Sequence, residues 1–459
     1  MKKNSRLLTI VLSLMAFAAV EAATYSGSLP VLYINTTGSA EITSTETYVG
    51  ATCYIDALST SYTSLGTAAA PIALQIKGRG NNKWTNYDKK PYRIKFTAKQ
   101  KPLGMSDSNK HFVLIPAADD DLAFLRFPVG MRLSMLMELD YTPEYRPIEV
   151  VLNGDYIGFY IFAEKVRVGK NRVNITEQED NETDPTMVTG GWLVEIDDNE
   201  DDAQIVTTDG AGNELRITYD SPEVLSSLQS EYLSSQIAAI NTAVYTSDKT
   251  STEWQSAIDI DQLARYYVVQ EVMDNIEAFH GGTYMNKDIG AATKWKFGPV
   301  WNFSDGLCRD GNNFIFAGET KIMHWIDEIY KFPAFVEKVK TLWASFYSSD
   351  YSTVGTFIDS FSNQISSAVA ADYARWPQYG CADASTAIAT FKARLKAKTD
   401  YLESVWGENG VDPVFVSMSQ ADDIVYDIMG RRVTTADRLS SSPLAAGIYI
   451  LNHKKFIVK

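Results

Sequence analysis

The stretch Gln75-Ile76-Lys77-Gly78-Arg79-Gly80-Asn81-Asn82-Lys83-Trp84, continued by Lys89-Lys90-Pro91-Tyr92-Arg93-Ile94-Lys95-Phe96, decides how this chain is read. Ile72, Leu74 and Ile76 alternate with Ala73, Gln75 and Lys77, the period of a half-buried strand. Tyr92, Ile94 and Phe96 alternate with Arg93 and Lys95, so a second strand directs two cations to one face. Gly78 and Gly80 allow the backbone close to a ligand, and successive N–H groups in such a turn cradle phosphate. Arg79, Lys83, Lys89, Lys90, Arg93 and Lys95 fall within 17 residues, a density that suits a polyanion such as a nucleoside triphosphate. On spacing alone, a surface hairpin with ordinary charges is the plainer reading, because an isolated G-x-G is a weak signal.

The cations stand out against an acidic chain. Its 459 residues carry 57 Asp and Glu against 42 Lys and Arg, a formal net charge of -15, which excludes a dedicated double-stranded nucleic-acid binder. A hydrophobic content of 45% excludes a disordered or collagenous chain and leaves ample material for a core. Cys53, Cys308 and Cys381 are too few for a disulfide scaffold or a Cys-rich zinc module; they allow at most one disulfide, of open pairing, and one free thiol. His111, His280, His324 and His453 show no metal-binding spacing.

Upstream, Lys2, Lys3 and Arg6 precede an apolar run from Leu7 to Ala19, and Val20-Glu21-Ala22 places small residues at a cleavage site. Residues 1–22 therefore read as a signal peptide, too short to span a bilayer. The mature chain is expected to be secreted or held at the outer-membrane surface, with no transmembrane segment. Strands dominate from 24 to about 165. The clearest is the hairpin Ile148 to Leu152, Asn153-Gly154, Tyr156 to Phe162. One helix is expected there, over about Asp121 to Leu139.

From about 170 to 220 the chain is acidic and polar, with dense patches at Glu177–Asp180 and Asp197–Asp202. Lacking the EF-hand glycine and spacing, this region reads as a solvated loop rather than a calcium site. Residues 222–280 and 320–405 read as helical. Leu263, Tyr266, Tyr267, Val269, Met273, Ile276 and Phe279 form a core-facing stripe. A polar linker at 408–413 leads to a β-rich tail, 414–459. The fold class is α+β, with residues 23–407 as the main domain.

Two further segments hold chemistry-bearing side chains. Glu271-Val272-Met273-Asp274-Asn275-Ile276-Glu277 closes a helix, and Gly298-Pro299-Val300-Trp301-Asn302-Phe303-Ser304-Asp305-Gly306 closes a strand. Acids and amides so placed are the groups that serve as base and metal ligands in phosphoryl transfer, although by themselves they read equally as caps and a loop.

The strings K-G-R-G-N-N-K-W, K-K-P-Y-R-I-K-F and L-N-G-D-Y-I-G-F-Y-I-F-A-E-K-V-R-V-G-K-N-R-V resemble the CotH family of spore-coat and secreted atypical kinases. So do Y-Y-V-V-Q-E-V-M-D-N-I-E-A-F, T-Y-M-N-K-D and F-G-P-V-W-N-F, the whole running from about Leu29 to Trp406. The resemblance implies a two-lobed protein-kinase-like fold, with a strand-rich N-terminal part and a helical C-terminal part. It also implies ATP with Mg²⁺ or Mn²⁺ as cofactors, and phosphorylation of Ser or Thr on an extracellular or cell-surface protein. Gly78, Arg79, Gly80 and Asn81 would then cover the phosphates. Lys90 or Lys95 would be the phosphate-binding lysine, with Arg93 adding charge, and Glu164 would belong to the adenine-facing connection. Glu277 and Asp274 would be the catalytic acids, and Asn302 and Asp305 the metal ligands.

Two positions depart from the family pattern. Asn275-Ile276-Glu277 stands for N-x-D, and the extra methylene displaces the carboxylate. Trp301-Asn302-Phe303-Ser304 stands for W-D-F-D, putting a neutral amide where an anion would hold metal. Two readings follow: a CotH-like kinase, or a catalytically inactive kinase-fold surface module with a structural, adhesive or ligand-binding role. The tail, from Ile424-Val425-Tyr426-Asp427 to Gly447-Ile448-Tyr449-Ile450 and a basic end, resembles the C-terminal sorting domain of type IX secretion in Bacteroidetes. That resemblance implies export machinery as a partner, and the strand pattern of the tail by itself reads as a small all-β C-terminal appendage.

Overall fold

The computed structural model describes residues 24–410 apart from 81, 201–202, 318–320 and 409, together with four strands of the tail. The expected signal peptide, Asn81 and most of the 408–413 linker lie outside the described residues. The chain divides into two units, 1–410 and 411–459.

The opening strands of the first unit close on themselves. β1 (Val31–Thr36), β2 (Val49–Asp56), β3 (Ile72–Gly78), β4 (Tyr92–Gln100), β5 (Asn109–Ile115), β6 (Tyr145–Leu152) and β7 (Asp155–Glu164) form a barrel in the order β1-β2-β3-β4-β5-β7-β6, sealed by parallel pairing of β1 with β6. Closure leaves no unpaired edge. Alternate residues point inward, among them Leu32, Ile34, Cys53, Leu74, Ile76, Ile94, Phe96, Phe112, Leu114, Ile148 and Val150. The outward set on β3–β5 includes Lys77, Arg93, Lys95 and His111, with Lys77 directly opposite Arg93 and Lys95 directly opposite His111. The β6–β7 turn takes left-handed conformations at Asn153 (φ 52°) and Gly154 (φ 86°), as Asn-Gly predicts.

A five-turn helix was not the outcome between β5 and β6. The helix expected over 121–139 is shorter, α2 (Arg126–Leu136), because Ala123 and Phe124 adopt φ near 60°, outside the helical region. A short helix, α1 (Asn82–Asn86), joins β3 to β4.

The acidic stretch is not simply a loop. β8 (Trp192–Asp197), β9 (Gln204–Thr208) and β10 (Glu214–Ser221) join β11 (Thr283–Lys287) and β12 (Lys296–Phe297) in a second sheet ordered β12-β11-β8-β10-β9. Charge content hid it; the fully buried alternation Trp192, Val194, Ile196 and Leu215, Ile217 drives it. Helices α3 (Ser227–Val244), α4 (Trp254–Ala257), α5 (Ile260–Val272), α6 (Ile326–Ile329), α7 (Pro333–Ser349), α8 (Tyr351–Arg375) and α9 (Ala384–Trp406) complete the unit. Ser226 and Gln229 cap α3 reciprocally, and Asp259 caps α5. The predicted stripe is core: Leu263, Tyr266, Tyr267 and Val269 on α5 and Met273 and Phe279 in the segment that follows are at most 1% exposed, while Ile276 is half-buried. None of the described helices is long and apolar enough to cross a membrane.

A buried ion pair locks the barrel to α8. Lys89 Nζ lies 2.7 Å from Asp372 Oδ1, and that same oxygen accepts the Phe159 N–H at 2.8 Å. Gly158 (φ 110°) makes room, since a Cβ there would sit 2.3 Å from Asp372 Oδ1. All three cysteines are free, Cys53 inside the barrel, so the disulfide allowed by the count does not form.

In the second unit β13 (Ile424–Asp427), β14 (Arg432–Thr435), β15 (Gly447–Leu451) and β16 (Lys454–Val458) pair antiparallel in the order β14-β13-β15-β16.

Candidate functional site

Asn275 brings the two chemistry-bearing segments together. Its side-chain amide, 1% exposed, donates to Gln270 Oε1 and to the Asn302 carbonyl, both at 2.8 Å. Glu277 and Asn302 thereby reach one cleft of about 550 Å³, with Arg79, Lys83, Glu195, Asp305 and Lys321 also on its walls. Gly281 and Gly282 make this convergence fit. A Cβ on Gly282 would lie 2.8 Å from Asn302 Cβ, and one on Gly281 would lie 2.8 Å from Asp198 Oδ1.

The polar groups of the cleft are bonded to one another. Lys321 Nζ donates to Glu277 Oε2 and, at 2.6 Å, to Asp305 Oδ2. Lys83 Nζ donates to Ser304 Oγ and pairs with Asp119 at 2.9 Å. Ser304 in turn donates to Asn302 Oδ1, from its N–H at 3.1 Å and its Oγ at 2.7 Å. Burial and a hydrogen bond to Asp305 raise the Glu277 pKa in spite of Lys321. Against burial, the bonds from Lys321 and Glu277 hold the Asp305 pKa below its ordinary value. The same bonds outweigh burial at Lys321 and raise its pKa. Glu195, on β8, is pushed up to about 8 by burial, with Asp197 and Asp220 adding to it.

A second cavity, about 680 Å³, opens over the outward face of the barrel. Lys77, Arg93, Lys95 and His111 form one wall with Lys165 and Arg167, and Glu177, Glu179, Asp180, Asp220 and Glu223 stand among the remaining lining residues. Lys165 pairs with Asp220 at 3.3 Å, whereas Arg93, Lys95 and Arg167 form no ion pair among the described residues. Arg93 Nε and His111 Nδ1 are buried without a hydrogen-bond partner. Burial and the charges of Arg167, Arg93, Lys95 and Lys165 push His111 down to about 3. Arg93, Lys95 and Arg167, without ion pairs of their own, give this wall a charge suited to an anion, although five carboxylates line the rest of the cavity. The two cavities are electrostatic neighbours, since Glu195 feels Asp220 and Lys165, and Arg79 feels Arg93.

The sequence-predicted residues are thus distributed unevenly. Glu277, Asn302, Asp305, Arg79 and Gly80 (φ 74°) border the cleft, and Arg93 and Lys95 border the cation-lined cavity. Arg79 also lies 5.7 Å over the Trp301 ring. Gly78 instead accommodates Trp84, whose ring would lie 2.6 Å from a Cβ. Lys90 donates to the Trp84 carbonyl at 2.6 Å and lines neither space. Glu164 is buried against Arg172 and accepts from the Tyr141 hydroxyl and the Glu144 N–H, both at 2.9 Å, and it lines neither space. Asp274 does not reach the cleft. It is fully buried, bonded by Arg309 at 2.6 and 3.1 Å and by Lys398 at 3.0 Å, a structural knot that also holds Glu271. Lys321, Glu195 and the Gly281-Gly282 pair escaped the sequence reading; the adjacent glycines were the available signal.

The metal that the family resemblance implies does not fit this arrangement. Among the described residues no three His, Cys, Asp or Glu side chains converge as a metal site. Glu277 and Asp305 do approach one point, but the Lys321 ammonium stands there.

These features define an α+β protein in which a carboxylate-bearing cleft adjoins a cavity with one cationic wall. The chain belongs to the CotH kinase family: the family described as CotH kinase protein matches residues 74–405. Among curated proteins none matches it.

Proposed function

We propose that this chain is an exported phosphotransferase with a two-lobed kinase-like architecture, moving the terminal phosphoryl group of ATP to Ser or Thr of an extracellular or surface protein. The observation that carries the reading is the set of unpaired cations, Arg93, Lys95 and Arg167, over a cavity next to the Glu277 cleft. In this scheme the triphosphate lies against the cationic wall, with Arg79 and Lys83 toward the cleft. The bond between the terminal phosphorus and the ADP oxygen breaks as one to the substrate hydroxyl oxygen forms, and Glu277 accepts the hydroxyl proton. Because little covalent chemistry is required of the protein, positioning and charge neutralisation carry the catalysis. The amino-terminal segment and the sorting-like tail support export to the surface.

Incubation of purified protein with labelled ATP and a Ser-rich substrate tests the proposal. Incorporation that falls on Lys95→Ala and on Glu277→Ala supports it, and no incorporation by the wild type removes the enzymatic claim. The neutral amide of Asn302, already bonded by Ser304, favours a second reading, a nucleotide-binding module without turnover. That reading predicts a higher melting temperature with ATP and no incorporation.

A further inference from the structure

The point between Glu277 and Asp305 already carries a positive charge supplied by the chain. Lys321 reaches it from the segment preceding α6, 44 residues beyond Glu277, and its Nζ donates to both carboxylates. The Lys321 side chain is 30% exposed and the Glu277 side chain 13%, so the contact sits at the cleft surface yet is well shielded. The neighbouring acceptor is engaged as well: Asn302 Oδ1 accepts twice from Ser304, whose Oγ accepts from Lys83. A divalent ion of the Mg²⁺ or Mn²⁺ kind takes about six oxygen donors, most of them from water and substrate phosphates, but it needs one or two carboxylates free to bind it. Here two carboxylates are held by an ammonium and the amide by a hydroxyl, and among the described residues no third acid converges. Lysine suits such a position, being a compact point charge on a flexible stem.

We propose that the Lys321 ammonium takes the place of a divalent cation between Glu277 and Asp305, so that the cleft presents a phosphate-bearing ligand with a tethered, metal-independent positive charge. The nature of that ligand rests on the phosphotransferase reading, but the identity of the cation does not.

The experiment measures Mn²⁺ binding to the full chain by loss of the free-ion electron paramagnetic resonance signal, with no nucleotide present. Wild type should leave the signal unchanged, whereas Lys321→Ala should gain a site binding about tenfold or more tighter than any in wild type. Adding Asp305→Asn to Lys321→Ala should abolish the gain, and Lys321→Arg should bind no Mn²⁺. If Lys321→Ala does not fold, Lys321→Met is read in its place, circular dichroism serving as the control. Wild-type Mn²⁺ binding that is lost on Asp305→Asn would overturn the proposal. So would a folded Lys321→Ala that gains no site. Because nucleotide is absent, a failure here is distinct from a failure to bind ATP. That second failure appears separately, as no ATP-induced shift in melting temperature with or without EDTA.

Discussion

Lys90 and Lys95 are five residues apart and equivalent as charges, yet only one faces an empty space. Lys90 is tied to the Trp84 carbonyl, whereas Lys95 and its neighbour Arg93 stand unpaired on the cavity wall. Replacing Lys95 or Arg93 by Ala should weaken ATP affinity about tenfold each, the equivalent of about 1.4 kcal/mol. Replacing Lys90 should leave affinity unchanged, as isothermal titration would show. His111 gives a pH test on the same wall. Its folded pKa, about 3, lies below its ordinary value of 6.5, so the unfolded chain binds the proton and the native state does not. Stability should therefore be level above about 6.5 and decline as pH falls from 6.5 toward 3. His111→Gln should flatten that decline in urea titrations, and a bound polyanion should do so in wild type.

At the scale of elements, the join between β7 and α8 is the most exacting contact. Asp372 serves Lys89 and the Phe159 N–H at once, with Gly158 pressed against it. Removing Asp372 leaves Lys89 charged and buried, so Asp372→Ala should cost about 3–5 kcal/mol. Gly158→Ala combines a clash with a left-handed φ and should also lower the melting temperature markedly. The strands β3, β4, β6 and β7 were legible because each keeps strict alternation or a strong Asn-Gly turn. β8 was obscured, since Glu195 and Asp197 interrupt an otherwise apolar run. Those acids face the cleft while Trp192, Val194 and Ile196 face the core, an arrangement that only the covering layers of the fold make favourable.

For the whole molecule, the division at 410 and 411 predicts independence of the main unit. A chain ending at Gly410 should melt at the same temperature as the full chain and bind ATP equally, measured by calorimetry and titration. Loss of either would mean that the tail contributes to the fold of the main unit. If the sorting-like reading of the tail holds, the same truncation should instead abolish surface delivery in cells.

The amino-acid sequence by itself determined the periodic elements: strands β3 and β4, the β6–β7 hairpin and the apolar stripe of α5. Those patterns are written in neighbours two to four residues apart, within the reach of strand and helix geometry. The family resemblance singled out Glu277, Asn302 and Asp305, and the fold brought them to one cleft. Only the tertiary structure decided which charges are spent on the fold and which remain for a ligand. Asp274 is neutralised by Lys398 from 124 residues away, Asp372 bonds the Phe159 N–H across 213, and Lys321 meets Glu277 across 44. No local pattern encodes such pairings, because a charge takes its partner from whatever the packed elements bring within a few ångströms.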